Sequence, residues 1–409
     1  MPIDANSGLS YAEGGVVAAE GFSCSGIHCG LKAAGKKDLA LVVADEGAVP
    51  AAAVFTTSAV VAAPVTVSRE HIAGGSCRAV VINAGNANAC TGAQGLVDAR
   101  ATAEALAAEL GCESSEIVVC STGVIGVPLP VEVVIGGLAE AVSGLDNASG
   151  DPAAEAIMTT DTFAKQSAVS LDLDGDRITV GGMAKGSGMI APNMATMLGV
   201  ITTDAPLTSA ACDAILRAAA DTTFNRVTVD SDTSTNDTLV LMASGEAGGS
   251  QIDVGSPGYA QVAEAVRVVA EELSRMLARD GEGATKLITV TVTGAADEAD
   301  AEKAARAIAD SPLVKTAVFG RDANWGRVAM AIGKSGAALD LNGFDITFAG
   351  IEVCKDGGAV GFDEDAALEA LSADEVCIDV DLGVGAASAT ILTCDLTYDY
   401  VRINGEYRS

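Results

Sequence analysis

Residues 184–200 read AKGSGMIAPNMATMLGV, with no acid and one base, Lys185. The run is too apolar for an ordinary surface loop, and its glycine, proline and asparagine disfavour a core helix. Such a composition suits a place that is buried yet bent, because glycine permits backbone angles that other residues resist. A second feature narrows its use. The 409 residues include only two histidines, His28 and His71, so acyl-transfer chemistry would need a base other than imidazole. A threonine exposed at a new N-terminus supplies one: its own α-amine, with a pKa of ~7.7–8.0, can take the hydroxyl proton. Thr196, behind the small Ala195, sits where such a cut could fall. Buried threonine with no chemical role is commoner, and the local pattern alone leaves both readings open.

The rest of the chain sets bounds. Its 409 residues are too many for one compact core, so two lobes are expected. Hydrophobic residues make up 49% but aromatics only 3%, which leaves most packing to Ala, Val, Gly and Ile in closely approaching layers. A net charge of −31, from 55 acids against 24 bases, argues against nucleic acid and against anionic membrane surfaces. The ten cysteines are scattered, without CxxC or zinc spacing, so no metal site is expected. Several lie in apolar runs such as IVVCST and TILTCDL, where a free thiol behaves as a small hydrophobe. The opening MPIDANSGLSYAEGG lacks the basic and apolar regions of a secretory signal, and a reducing cytoplasm fits best. Two uncharged runs, 47–68 and 186–203, reach the ~18 residues of a membrane span. Proline and hydroxyl residues interrupt both, and they read as buried strands and loops.

Short β-branched or Ala-rich runs at 39–45, 51–57 and 77–84, bounded by turn residues, predict strands. Residues 95–111 predict a helix closed by Gly111, followed by a strand over EIVVCST. QSAVSLDLDGDRITVGG gives two alternating runs around Asp174-Gly175, a hairpin signal. Helices are expected at 209–224, 259–281 and 299–311, and a strand at 286–295. The tail VCIDVDLGVGAASATILTCDLTYDYVRING reads as an antiparallel ribbon. Hairpins and helices in runs favour α+β layers over a strictly alternating βαβ sheet.

Several familiar sites are absent. No GxGxxG, GxxxxGK[ST] or HExxH is present, and GSGM at 186–189 lacks Walker spacing. No GxSxG accompanies His28 or His71, and both histidines read as surface or satisfied core positions. Against that background MAKGSGMIAPNMATMLGVITTDA closely resembles the self-cleaving motif of the ArgJ family, the ornithine acetyltransferases of arginine biosynthesis. AVFTTSAVVAAPV, VVINAGNANACTG, STGVIG, AIMTTDTFAK, FNRVTVDSDTSTNDT, ARDGEGATK, DANWGRVAMAIG and the terminal VRINGEYRS resemble family segments in family order, across nearly the whole chain.

The resemblance implies an α-β-β-α sandwich of the ArgJ/DmpA type with a second, smaller α/β lobe. It implies cleavage between Ala195 and Thr196, giving an α chain (1–195) and a β chain (196–409) that stay together. Thr196 would then take the acetyl group of N2-acetylornithine as a threonyl ester and pass it to glutamate. The implied oxyanion hole is the Thr122 hydroxyl with the Gly123 amide. The implied substrate ligands are Thr159 (with Thr160 the alternative), Lys185, Thr196, Glu282, Asn404 and Ser409. No cofactor or metal is implied. Acetyl-CoA is allowed as a second donor, and the family suggests two α and two β chains. The competing readings are a self-processed Thr/Ser aminopeptidase of similar fold, a non-catalytic scaffold that cleaves itself, and an unprocessed binding protein.

Overall fold

The hairpin expected around Asp174-Gly175 is present in the computed structural model of the chain, which describes residues 8–33, 35–191 and 197–406. Asp174 and Gly175 take φ of 53° and 100°, and Leu173 pairs with Asp176 across the turn. Positive φ at both central residues is the signature of the two-residue turn whose twist matches that of its strands. The strands so joined, Lys165–Leu173 and Asp176–Lys185, lie in a seven-stranded sheet. Its order is Ser10–Tyr11, Lys165–Leu173, Asp176–Lys185, Leu198–Thr203, Thr238–Ala243, Val49–Phe55 and Ser76–Cys77. A four-stranded sheet runs Phe22–Ile27, Leu39–Ala44, Ala79–Asn86 and Ile117–Val124.

The two sheets pack face to face. Phe22, Val42, Val80 and Ile82 of the smaller one share a buried cluster with Met183, Leu198, Val200 and Val240 of the larger. Alternate residues of the four-stranded sheet, Leu39, Leu41, Val81 and Val119, point the other way. They meet Leu106 of the helix Gly92–Leu110 and Leu138 of the helix Val131–Ser143. The seven-stranded sheet carries Ser209–Thr222 and Tyr259–Arg279, with Val269 and Leu273 close against Gly182. The result is the expected α-β-β-α sandwich. Burying each aliphatic side chain of these layers contributes roughly 1.5–3 kcal/mol before chain entropy is counted. Cys120, from one of the apolar runs, is buried in the interlayer cluster, and burial pushes its thiol up to about 12.

The chain divides into two compact units, one of residues 1–225 with 233–277, the other of 226–232 with 278–408. The first holds the sandwich, so strands on both sides of the expected cut belong to it. The second, smaller unit is a six-stranded mixed sheet. Val290, Ile346 and Ile378 pack there against Ala304 and Ile308 of the helix Glu298–Ala309.

The tail departs from the expected ribbon. Glu375–Asp381 and Ala387–Cys394 are strands but not neighbours, because Leu287–Ala295 lies between them. It runs parallel to the first and antiparallel to the second. The connection crosses the end of that strand, where Val384 and Gly385 both donate to the Gly294 carbonyl at 2.8 Å. Residues Tyr398–Glu406 form a helix. Alternation marks a strand with two different faces and does not name its partner. Among the described residues, no helix is long and apolar enough to cross a membrane.

Candidate active site

The strand Ile117–Val124 is the edge of its sheet. A buried edge leaves peptide groups that need partners. One turn of the helix Ala63–His71 supplies them. The Ser68 hydroxyl donates to the Val119 carbonyl at 2.7 Å and accepts the Val119 amide at 2.8 Å. His71 Nδ1 bonds the Ile117 carbonyl at 2.8 Å. The second histidine is also structural, with His28 Nδ1 2.7 Å from the Lys36 carbonyl. Thr122 and Gly123 lie near the end of the strand so fixed. Gly123 has φ 132°, and a Cβ there would sit 2.3 Å from the Gly85 carbonyl carbon. Only glycine fits, for conformation and for space.

Lys185 ends the strand Asp176–Lys185 and is 3% exposed. Its Nζ donates to Thr122 Oγ1 at 3.3 Å. The Thr122 oxygen thus accepts from an ammonium, and its own hydrogen remains to donate to another oxygen. A positive charge behind a hydroxyl donor, in a buried place, is the arrangement that stabilises a developing oxyanion.

Asp161 braces this corner. Its carboxylate accepts from Lys165 Nζ at 2.7 Å, the Gly186 amide at 2.7 Å and the Thr159 amide at 2.9 Å. Burial alone would raise its pKa, but the Lys185 and Lys165 charges, with these hydrogen bonds, hold it below the usual carboxylate range. One anion therefore ties Thr159 to the residue following Lys185. Lys32 lies within the field of Lys185 and is pushed down to about 8, first by burial.

A second acid behaves in the opposite way. Asp237 is 1% exposed, and its Oδ1 accepts the Met197 amide at 3.0 Å. Among the described residues its Oδ2 has no hydrogen-bond partner, and burial raises its pKa well above the ordinary value despite the Lys185 charge. Thr122, Lys185, Met197, Asn236 and Asp237 line one small pocket of the first unit. A larger cleft of about 870 Å³ is lined by Ala51–Phe55, Arg69, Asp213 and Arg217, and none of the implied site residues among those described borders it.

In the second unit Asn404 Nδ2 donates to Glu282 Oε2 at 2.7 Å and to the Tyr400 carbonyl at 3.0 Å. The same cluster contains the Tyr400 hydroxyl, pushed up by burial and by the negative charge of Asp230 and Glu282. Both amide hydrogens of Asn404 are thus committed, which leaves its Oδ1 and the Glu282 carboxylate as acceptors suited to an ammonium group.

The ArgJ family profile matches residues 23–409. The chain belongs to the ArgJ family. It is 51% identical over 403 residues to the arginine biosynthesis bifunctional protein ArgJ of Symbiobacterium thermophilum, covering 98% of this chain and 100% of that one. The protein of the same name from Geobacter sulfurreducens is 47% identical over 391 residues, covering 95% and 99%. A crystal structure of ArgJ from Bacillus halodurans is 46% identical with a TM-score of 0.49, covering 50% of this chain and 97% of that one.

The structure brings Lys185 and Thr122 together, with Gly123 beside them, and pairs Glu282 with Asn404. Thr159 is tied to Asp161 through its backbone amide, which makes no choice between the Thr159 and Thr160 hydroxyls. Ala195, Thr196 and Ser409 lie outside the described residues. Sequence reasoning does not single out Asp161, Asn236 or Asp237. Their one visible signal is an acid or amide inside the otherwise small, uncharged runs MTTDTF and STNDT.

Proposed function

We propose that this ArgJ-family enzyme moves the acetyl group of N2-acetylornithine to glutamate through an acetyl-threonine at Thr196, giving ornithine and N-acetylglutamate. The bond between Thr122 and Lys185 carries the reading, because it leaves one hydroxyl hydrogen, backed by a cation, free for an oxyanion. Thr196 Oγ attacks the acetyl carbonyl and its proton passes to the residue's own α-amine. The C–N bond to ornithine then breaks, and that proton leaves with the ornithine amine. The amine of glutamate attacks the ester and reverses the sequence. Thr159, Lys185, Glu282, Asn404 and Ser409 hold the amino-acid ends of both substrates. The same hydroxyl first cuts the chain: its attack on the Ala195 carbonyl breaks the Ala195–Thr196 C–N bond and leaves an ester, which water hydrolyses to give the α chain's carboxylate and the β chain's free Thr196 amine.

Double-exchange kinetics test this reading. Parallel double-reciprocal lines are expected when N2-acetylornithine and glutamate are both varied, and a β chain carrying one extra acetyl group with N2-acetylornithine alone; intersecting lines with no adduct would overturn it. Acetyl-CoA is proposed as a second donor, checked by release of free thiol with glutamate present. A cytoplasmic assembly of two α and two β chains completes the proposal, with sedimentation of the cleaved protein as its test. Membership of the ArgJ family weighs against an aminopeptidase, for which water would replace glutamate.

A further inference from the structure

The segment STNDT joins two parts of the site that are distant in sequence. Asn236 is buried, its Nδ2 donating to the Ser121 carbonyl at 2.9 Å and to the Ala87 carbonyl at 2.7 Å. Its Oδ1 is taken by the Thr235 hydroxyl at 2.5 Å, so the amide has no freedom to turn over. Ser121 immediately precedes Thr122, the hydroxyl donor. The next residue, Asp237, accepts the Met197 amide at 3.0 Å, and that nitrogen is covalently the amide of the Thr196–Met197 peptide. The main chain of the pair is anchored too: the Thr56 amide donates to the Asp237 carbonyl at 3.0 Å, and the Thr56 hydroxyl to the Ser234 carbonyl at 2.7 Å. Two adjacent side chains on one fixed strand entry thus reach in two directions. One grips the peptide before the oxyanion donor, the other the peptide after the nucleophile.

We propose that Asn236 and Asp237 are positioning residues that set the placement of the oxyanion donors relative to Thr196, an inference that rests on the reading of Thr196 as nucleophile. Neither touches the reacting atoms. Both act on geometry, where an error of about 1 Å costs on the order of 10²-fold in rate. Asp237 acts here as an acceptor, through Oδ1, which an amide oxygen can also do.

The test compares Asn236→Ala, Asp237→Leu and Asp237→Asn in the full-length protein. Self-cleavage is followed by intact mass, kcat and KM are measured for N2-acetylornithine, and thermal unfolding confirms folding. Asn236→Ala and Asp237→Leu should cleave slowly and lose about 10²-fold in kcat, with KM within a few-fold of wild type. Asp237→Asn should retain most of the turnover that Asp237→Leu loses. Normal cleavage and kcat in the two disruptive variants, or a loss confined to KM, would overturn the proposal. If those variants do not fold, Asp237→Asn decides alone: a loss as large as that of Thr122→Ala sinks it. Thr196→Ala, assayed alongside, separates the two readings. Activity there removes the nucleophile, whereas inactivity there with normal Asn236→Ala removes only this inference.

Discussion

Lys185 and Leu198 are direct cross-strand partners in the seven-stranded sheet. The strand that ends at Lys185 and the strand that begins at Leu198 are thus pinned side by side at these two residues. The ladder continues from there to Val180 opposite Thr203. Both strands are therefore held by main-chain hydrogen bonds that do not depend on an intact chain between Lys185 and Leu198. A cut between Ala195 and Thr196 would leave the α and β chains paired along this ladder.

Purified protein should accordingly run as two chains under denaturing conditions, the second beginning at Thr196. Thr196→Ala should remain full length and inactive, and Thr196→Ser should retain part of both activities, since serine keeps the oxygen but loses the methyl that restricts χ1. N-terminal sequencing that returns a different new end counts against the assignment.

Removing the Thr122 hydroxyl should lower kcat by about 10²–10³, the usual loss for one oxyanion donor. Thr122→Ser should restore much of it. The expected signature is slow acetylation of the β chain in a single turnover with little change in KM. An alanine variant that acetylates at the wild-type rate would exclude the role.

Asp161→Asn should destabilise the fold by about 3–5 kcal/mol, because it removes the carboxylate charge that faces the buried Lys165 ammonium. Both side chains of that pair are 0% exposed. Asp161 has a lowered folded-state pKa, so its contribution is complete above the unfolded carboxylate value. It is lost as pH falls through the folded one. Urea midpoints measured toward acid pH should drop in wild type and drop less in Asp161→Asn.

Asp237 carries the opposite sign. Its folded pKa is raised, so between the unfolded value of ~3.9 and that higher value the folded state holds a proton the unfolded state has released. Stability then falls as pH rises across the window. Asp237→Asn should flatten this slope, read from urea midpoints between acid and neutral pH. An unchanged slope would mean the carboxyl is ionised in the fold.

Asn404→Ala and Glu282→Gln should raise KM for N2-acetylornithine by roughly ten-fold or more, as expected when a charge-assisted hydrogen bond of ~1.5–3 kcal/mol is lost, with smaller effects on kcat. Steady-state kinetics on cleaved protein checks this; a change in kcat alone would place both residues outside substrate binding.

Local chemistry makes much of this protein legible from its amino acids alone. Asp174-Gly175 dictates a two-residue turn, and Gly111 closes a helix by its left-handed φ of 67°, whereas the 184–200 stretch leaves the role of Thr196 open until the family resemblance assigns it. The first two rest on contacts a few residues long, which backbone preference and side-chain spacing control. Tertiary packing decides what local chemistry leaves open. Lys185 finds Thr122 across 63 positions of chain, and Asn236 finds Ser121 across 115, because the two sheets stack and bring their strand ends together. The expected tail ribbon is absent for the same reason: alternation fixes which face of Glu375–Asp381 is buried, but only the shared core with Leu287–Ala295 fixes its neighbour. The opposite pKa shifts of Asp161 and Asp237 are likewise a property of place. Two carboxyls of one chemistry differ because one has a directly bonded buried lysine and two amides around it, whereas at the other the desolvation of full burial outweighs the Met197 amide and the Lys185 charge.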